Sequence, residues 1–363
     1  MPGDALIDFV VANGLWGDSD LCLVDVGASG GIHARWSDYG DRLRAVGFDP
    51  LVLEVERLNG LETRPKVRYE ALSVGAGSRD HAPPRVSSED RQVQFFLQTL
   101  ERSSALAAHR ILNMDYIRSI YNTGSRVEYS SRTTTLDEYF AAPQVLRPDF
   151  LKVDTDGDDY DVLLGGAKLI ESGAFLGISI EVRFQGDAPD RANSFSNIDR
   201  FLRPRGFTLF DLETHRYSRS ALPAPFAIGV PAQTVSGQVR WGEALYFRDL
   251  ASPGYEKAFG LSLTGERILK LCCLFRSHGL SDCAAELLVT SEVLRALHER
   301  SALIDLLTPT LFGDTRYDEY IARFNANPAA WLPQNLPRQP EPVPPAAAAA
   351  SGPQRLIVEG ERR

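Results

Sequence analysis

The chain has 363 residues, 44% of them hydrophobic and 24% charged, with a formal charge of -9. That balance belongs to an ordinary globular protein, long enough for one large domain and an appendage. Net acidity counts against a nucleic-acid partner, which needs a clustered basic surface, and the strongest basic grouping, Arg200, Arg203 and Arg205, reads as a solvated helix end.

The first residues, MPGDALIDFVVANGLWGDSD, offer no basic n-region and place Asp4 and Asp8 where one is expected, so no secretory signal is predicted. No apolar run reaches the ~18 residues that span a bilayer. Cys22, Cys272, Cys273 and Cys283 form no CxxC pair and have no His partner at metal-finger spacing. A reduced, cytoplasmic protein is expected, with Cys22 a small buried hydrophobe.

From about residue 20 to residue 250, apolar β-branched runs alternate with helix-period segments. Strands are predicted at Leu21–Val26, Ala45–Phe48, Val67–Ser73, Phe150–Val153, Phe175–Ile180 (ending in Glu181), Phe207–Leu212 and Ala244–Arg248. Helices are predicted at Leu51–Leu58 and from about Asp158 to Glu171, the latter capped by Gly173. Alternation of this kind means βαβ units, hence an open α/β sheet, mainly parallel, with helices on both faces. The expected main domain is 1–255.

Residues 80–136 interrupt the rhythm as an insertion, with a strand-like Val93–Leu97 and a helical Ala105–Ile120. Residues 264–325 read as an all-helical appendage: a hairpin of Ile268–Phe275 and Cys283–Val289, then a helix over Val293–Leu307. The Pro/Ala-rich tail, 332–363, is expected to be disordered.

The first chemical motif is Asp25-Val26-Gly27-Ala28-Ser29-Gly30-Gly31. A strand feeding a glycine turn is where cofactors bind at the carboxyl edge of such sheets, since glycine lets backbone approach a ligand. Asp49 stands 22 residues after Gly27, the usual place for a ribose-binding acid. A dinucleotide needs G-x-G-x-x-G to seat its pyrophosphate, and Ser29 and Ile32 break that pattern. S-adenosylmethionine has no phosphate; it brings an ammonium, a ribose and a sulfonium, which suits an edge of carboxylates.

The second motif is Lys152-Val153-Asp154-Thr155-Asp156-Gly157-Asp158-Asp159-Tyr160-Asp161. Carboxylates at a helix start are favoured electrostatically, which accounts for Asp158, Asp159 and Asp161. Asp154 is different, because it falls at a strand's carboxyl end, facing the crevice. The spacing does not fit a calcium-binding EF-hand loop, although a looser divalent-cation site at Asp154 and Asp156 stays open.

Taken together, Asp25-Val26-Gly27-Ala28 with Gly31, Phe48-Asp49-Pro50, Ser103-Ser104-Ala105-Leu106, Thr135-Leu136-Asp137, Lys152 to Gly157, Val162 to Ala167 and Ile180-Glu181 resemble the successive blocks of FkbM-type methyltransferases. The resemblance runs over roughly residues 20–250, in order. It implies a class I methyltransferase fold, S-adenosylmethionine as donor, and O-methylation, often of sugar or natural-product hydroxyls. Two departures stand out: the family usually carries Glu where this chain has Asp49 and Asp156.

On that reading the donor is expected against Asp25, Gly27, Ala28, Gly31, Asp49, Ser73 and Asp154, with no metal. A hydroxyl acceptor must lose a proton. Asp154 is the first candidate to take it and Glu181 the second, with Lys152 and Arg183 orienting the acceptor. His33 and His215 are expected to be ordinary polar residues. The insertion, with Arg102, Ser103, Ser104, Tyr116 and Tyr121, is the expected acceptor side. Rival readings are an NAD-linked sugar oxidoreductase and an inactive methyltransferase-fold scaffold that binds a partner through the 264–322 helices. The same helices are the expected surface for a protein partner or self-association.

Overall fold

The computed structural model describes residues 4–77, 130–141, 147–155, 157–184, 190–217, 234–311, 313 and 316–336. They form two compact units, one made of the described residues of 1–21, 33–44 and 248–348, the other of the described residues of 22–32 and 45–247.

The second unit is organised by a seven-stranded sheet. Its members are β1 (Leu21–Val26), β2 (Leu43–Asp49), β3 (Val67–Ala71), β6 (Phe150–Val153), β7 (Gly177–Arg183), β8 (Phe207–Tyr217) and β9 (Gln238–Arg248), in spatial order 3-2-1-6-7-9-8. A second, two-stranded parallel sheet pairs β4 (Ser73–Val74) with β5 (Thr133–Thr134). In the large sheet β2 runs parallel to β3, β1 to β6 and β6 to β7, while β9 runs antiparallel to β7. Every residue of β1 is buried, as expected of a strand covered on both faces. The order turns back at β1: β2 and β3 lie on one side, β6 and β7 on the other. That reversal opens a crevice at the carboxyl ends of β1 and β6.

Helices α2 (Val52–Leu61), α3 (Leu136–Phe140), α4 (Asp159–Gly165), α5 (Ala167–Glu171) and α6 (Phe195–Leu202) accompany these strands. The predicted helix from Asp158 to Glu171 is two helices. At Gly165 a Cβ would lie 1.9 Å from the carbonyl oxygen of Gly75, so only glycine permits this approach. Beyond the break Asp137 accepts the Lys168 and Leu169 N–H groups at 3.1 and 2.8 Å, capping α5 afresh. Gly173 has φ +73°, as its predicted capping role requires. Other corrections concern length. β7 starts two residues late and continues to Arg183, and β8 and β9 are each 11 residues long.

In the first unit α1 (Ala5–Ala12) packs against α8 (Gly265–Ser277) and α10 (Arg300–Leu307), and α9 (Ser281–Thr290) packs on both of these C-terminal helices. Two further helices are α7 (Tyr255–Phe259) and α11 (Tyr317–Ala326). All eight residues from Ile268 to Phe275 are buried, the mark of a helix surrounded by others. Lys270 is among them, its Nζ donating to the Asp20 carbonyl at 2.7 Å and pairing with Glu266 at 3.0 Å. Cys272 and Cys273 are fully buried, which pushes both thiols well above their ordinary range. The third appendage helix begins only at Arg300, because residues 293–298 form turns. Leu332–Leu336 is a hydrogen-bonded turn rather than the start of a disordered tail. Val93–Leu97, Ala105–Ile120 and the rest of the tail lie outside the described residues. No helix among the described residues is long and apolar enough to cross a membrane.

Candidate active site

Three strand ends build the site. β1 delivers Asp25 and stops in the turn Gly27–Gly31, whose glycines 27, 30 and 31 have φ of +83°, +84° and +92°. At Gly27 the requirement is absolute: a Cβ would sit 1.7 Å from the Asp154 carbonyl oxygen. The turn is pinned by N–H groups of Gly27 and Ala28, which donate to the Phe48 carbonyl at 2.9 and 3.0 Å. Among the described residues, a Cβ built on Gly30 would meet nothing within 4 Å.

β6 delivers Lys152 and Asp154. The Lys152 ammonium donates to the Gly27 carbonyl at 2.9 Å and lies 3.1 Å from Asp25 Oδ1 and 3.4 Å from Asp154 Oδ2. Burial pulls this ammonium down, but the two carboxylates outweigh it and hold Lys152 above its ordinary value. Burial raises Asp25 despite Lys152. The two acids differ in access: the Asp25 side chain is 7% exposed, that of Asp154 39%. Lys152 is therefore engaged among the strand ends rather than snorkelling outward.

β2 delivers Asp49, 5% exposed, accepting the Leu51 N–H at 2.8 Å. Burial pushes its carboxyl up to about 6, against the pull of backbone donors at Leu51 and Ser29. Each carboxylate oxygen has more than one acceptor site, so these bonds leave capacity for a ligand's hydroxyls. Ser73 stands apart from strand β3, in the small sheet, its N–H donating to the Arg132 carbonyl at 3.0 Å.

β7 delivers Glu181 inside the strand rather than at its end, 7% exposed and opposite Glu243 of β9. Its Oε1 lies 3.8 Å from Arg183 Nε, and the Arg183 guanidinium covers Gly157, where a Cβ would be 2.6 Å from Nη2. Asp154, with 39% of its side chain exposed, is less enclosed than Glu181.

A model of the methyltransferase FkbM domain matches residues 25–209, more than half of the chain. The chain belongs to the FkbM methyltransferase family. Membership implies S-adenosylmethionine as methyl donor, and the sheet described above is of the class I methyltransferase type. No curated protein sequence matches the chain. Among solved structures it is similar to an FkbM methyltransferase from Methylobacillus flagellatus, with 12% identity and TM-score 0.31. That likeness covers 63% of this chain and 44% of the other, so this chain spans less than half of that protein's length. A precorrin-6y C5,15-methyltransferase from Geobacter metallireducens aligns with 10% identity, 66% and 86% coverage and TM-score 0.30. A TehB-like methyltransferase from Corynebacterium glutamicum aligns with 9% identity, 68% and 90% coverage and TM-score 0.26.

The family's Thr-Leu-Asp block has a structural reading here. Thr135 and Glu138 form a reciprocal capping box on α3, Leu136 is fully buried, and Asp137 caps α5. Sequence reading placed Asp159 at a helix start, where it does stand, but missed that it is fully buried beneath the turn after β6. The signal available was the turn's own density of acids, too many for one helix end. His33 caps a 3-10 turn through the Arg35 N–H, and His215 stacks on Trp241 at 3.8 Å. Asp156, Arg102, Ser103, Ser104, Tyr116 and Tyr121 lie outside the described residues. Among the described residues no cluster of three His, Cys, Asp or Glu could hold a metal ion.

Proposed function

We propose that the protein is an S-adenosylmethionine-dependent O-methyltransferase that acts on a hydroxyl of a sugar, glycan or natural product. The observation that carries this reading is the pairing of two unlike carboxylates at one switch point. Asp25 is enclosed and fixed by Lys152, whereas Asp154 is more than one-third exposed beside it.

The residues fit the donor. The Gly27–Gly31 turn offers backbone without side chains, Asp49 supplies an acceptor for ribose hydroxyls, and Asp25 and Asp154 supply negative charge for an ammonium and a sulfonium. When bound, the donor supplies a methyl group on a positively charged sulfur. The protein's part is to align the acceptor oxygen and remove its proton. Asp154 takes that proton, because it is the accessible carboxylate of the set. Lys152 keeps Asp154 and the Gly27 carbonyl in place rather than touching the acceptor, and Arg183 faces the same turn from β7.

Calorimetric titration with S-adenosylmethionine and S-adenosylhomocysteine tests the donor site, with Asp49→Ala as control. Binding lost in the control supports the reading and opens a radiolabelled methyl-transfer screen over sugar hydroxyls. A folded protein that binds neither compound overturns it in favour of a partner-binding scaffold.

A further inference from the structure

Asp159 begins α4 and is 0% exposed. Helix-start carboxylates normally sit in solvent, where the helix dipole favours them at no desolvation cost. A buried one needs fixed donors in return. Asp159 has three. The Thr155 N–H donates to Oδ1 at 2.7 Å, the Gly157 N–H to Oδ2 at 3.1 Å, and Asn193 Nδ2 to Oδ2 at 2.7 Å. Burial raises its carboxyl nonetheless.

The donors come from two places. Thr155 and Gly157 are the first and third residues after Asp154. Asn193 precedes α6, and its own carbonyl accepts the Arg183 N–H at the end of β7, at 3.2 Å. On its other side Asp154 is anchored by its N–H, which donates to the Val26 carbonyl of β1 at 2.9 Å. The accessible carboxylate thus hangs between a strand ladder and a buried acid. That acid also secures Gly157, over which Arg183 lies.

We propose that Asp159 is a positioning residue of the methyl-transfer site, fixing the direction of the Asp154 carboxylate by holding the Thr155 and Gly157 amides. The proposal rests on the methyltransferase reading above. It requires the acceptor character of Asp159 and not its volume alone. Asparagine, nearly the same size, would turn an amide donor toward backbone donors and break at least one of the three bonds.

The test is a double-mutant cycle on S-adenosylmethionine affinity, measured by calorimetry for wild type, Asp159→Asn, Asp154→Asn and the double variant. Amide exchange of the peptide containing residues 150–160 is followed in parallel. Asp159→Asn is expected to keep the wild-type circular dichroism spectrum, to weaken binding about tenfold and to accelerate exchange at the turn. In the Asp154→Asn background it should add no further loss. Additive losses in the two backgrounds would overturn the route through Asp154, as a merely structural role predicts. Unchanged exchange in Asp159→Asn would overturn the proposal outright. If wild type binds no donor, the methyltransferase reading fails by itself, and the exchange arm still decides whether Asp159 holds the turn. Should Asp159→Asn fail to fold, Asn193→Ala tests the same tie: faster exchange supports it and unchanged exchange overturns it.

Discussion

Lys152 Nζ lies 2.9 Å from the carbonyl oxygen of Gly27, so a cation from the middle of one strand closes the turn that ends its neighbour. The same ammonium faces Asp25 and Asp154. Replacing it with Met should leave the enclosed Asp25 without its counter-charge and the Gly27 carbonyl without a donor. Breaking a buried pair from one side costs about 3–5 kcal/mol, and partial exposure of Lys152 brings the expected loss to about 2–3 kcal/mol. Urea denaturation of Lys152→Met checks this, and donor affinity should fall with it.

Gly27 and Gly30 share a left-handed backbone but not a neighbourhood. Gly30→Ala meets open space and should cost only the strain of its φ, about 1 kcal/mol. Gly27→Ala drives a methyl group into the Asp154 carbonyl, so β1 and β6 must separate. A loss of more than about 3 kcal/mol is expected there, with donor binding abolished. Equal denaturation midpoints for the two variants would contradict the close approach.

Asp49 couples binding to pH. Its carboxyl is raised to about 6 by burial, so the folded state holds this proton more tightly than the unfolded chain. Stability from this group is therefore present below the ordinary carboxylate range and lost as pH rises through about 6. Asp49→Asn should be more stable than wild type at pH 8, by about 1–2 kcal/mol, and should show no such advantage at pH 4. Donor affinity follows the opposite course: in wild type it should fall below pH 6 as the carboxylate is protonated. Thermal midpoints at the two pH values and calorimetry at pH 5 and 8 measure both.

Asp137 uses both carboxylate oxygens on the amides of Lys168 and Leu169. Asp137→Ala removes the cap from α5 and should cost about 1 kcal/mol, lowering the melting midpoint by a few degrees. Donor affinity should not change. A large affinity loss would mean that the Thr-Leu-Asp block serves the site directly.

The sheet was legible because its central parallel strands, β1 and β6, are short runs dominated by buried apolar residues. Leu21–Val26 and Phe150–Val153 have the same limits in sequence and structure. The last two strands, β8 and β9, were read short, since they mix exposed polar residues with apolar ones and the runs look broken. The break at Gly166 was hidden for another reason: helical periodicity continues across it, while its φ of -110° and ψ of 13° leave the helix there. The acids of the site were all visible in the sequence. Asp154 could be put first from its place at a strand's carboxyl end, but the burial that separates Asp159 from Asp158 is not encoded by spacing.

Burial of the cysteines gives each unit an internal clock. Cys22 lies within the sheet unit, Cys272 and Cys273 within the central helix of the other, and none of them is in a disulfide. A thiol can react only when its surroundings open, so labelling rates in the native chain record the opening of each unit separately. Adding the methyl donor should slow the Cys22 clock while leaving the helical one free to run at its own pace.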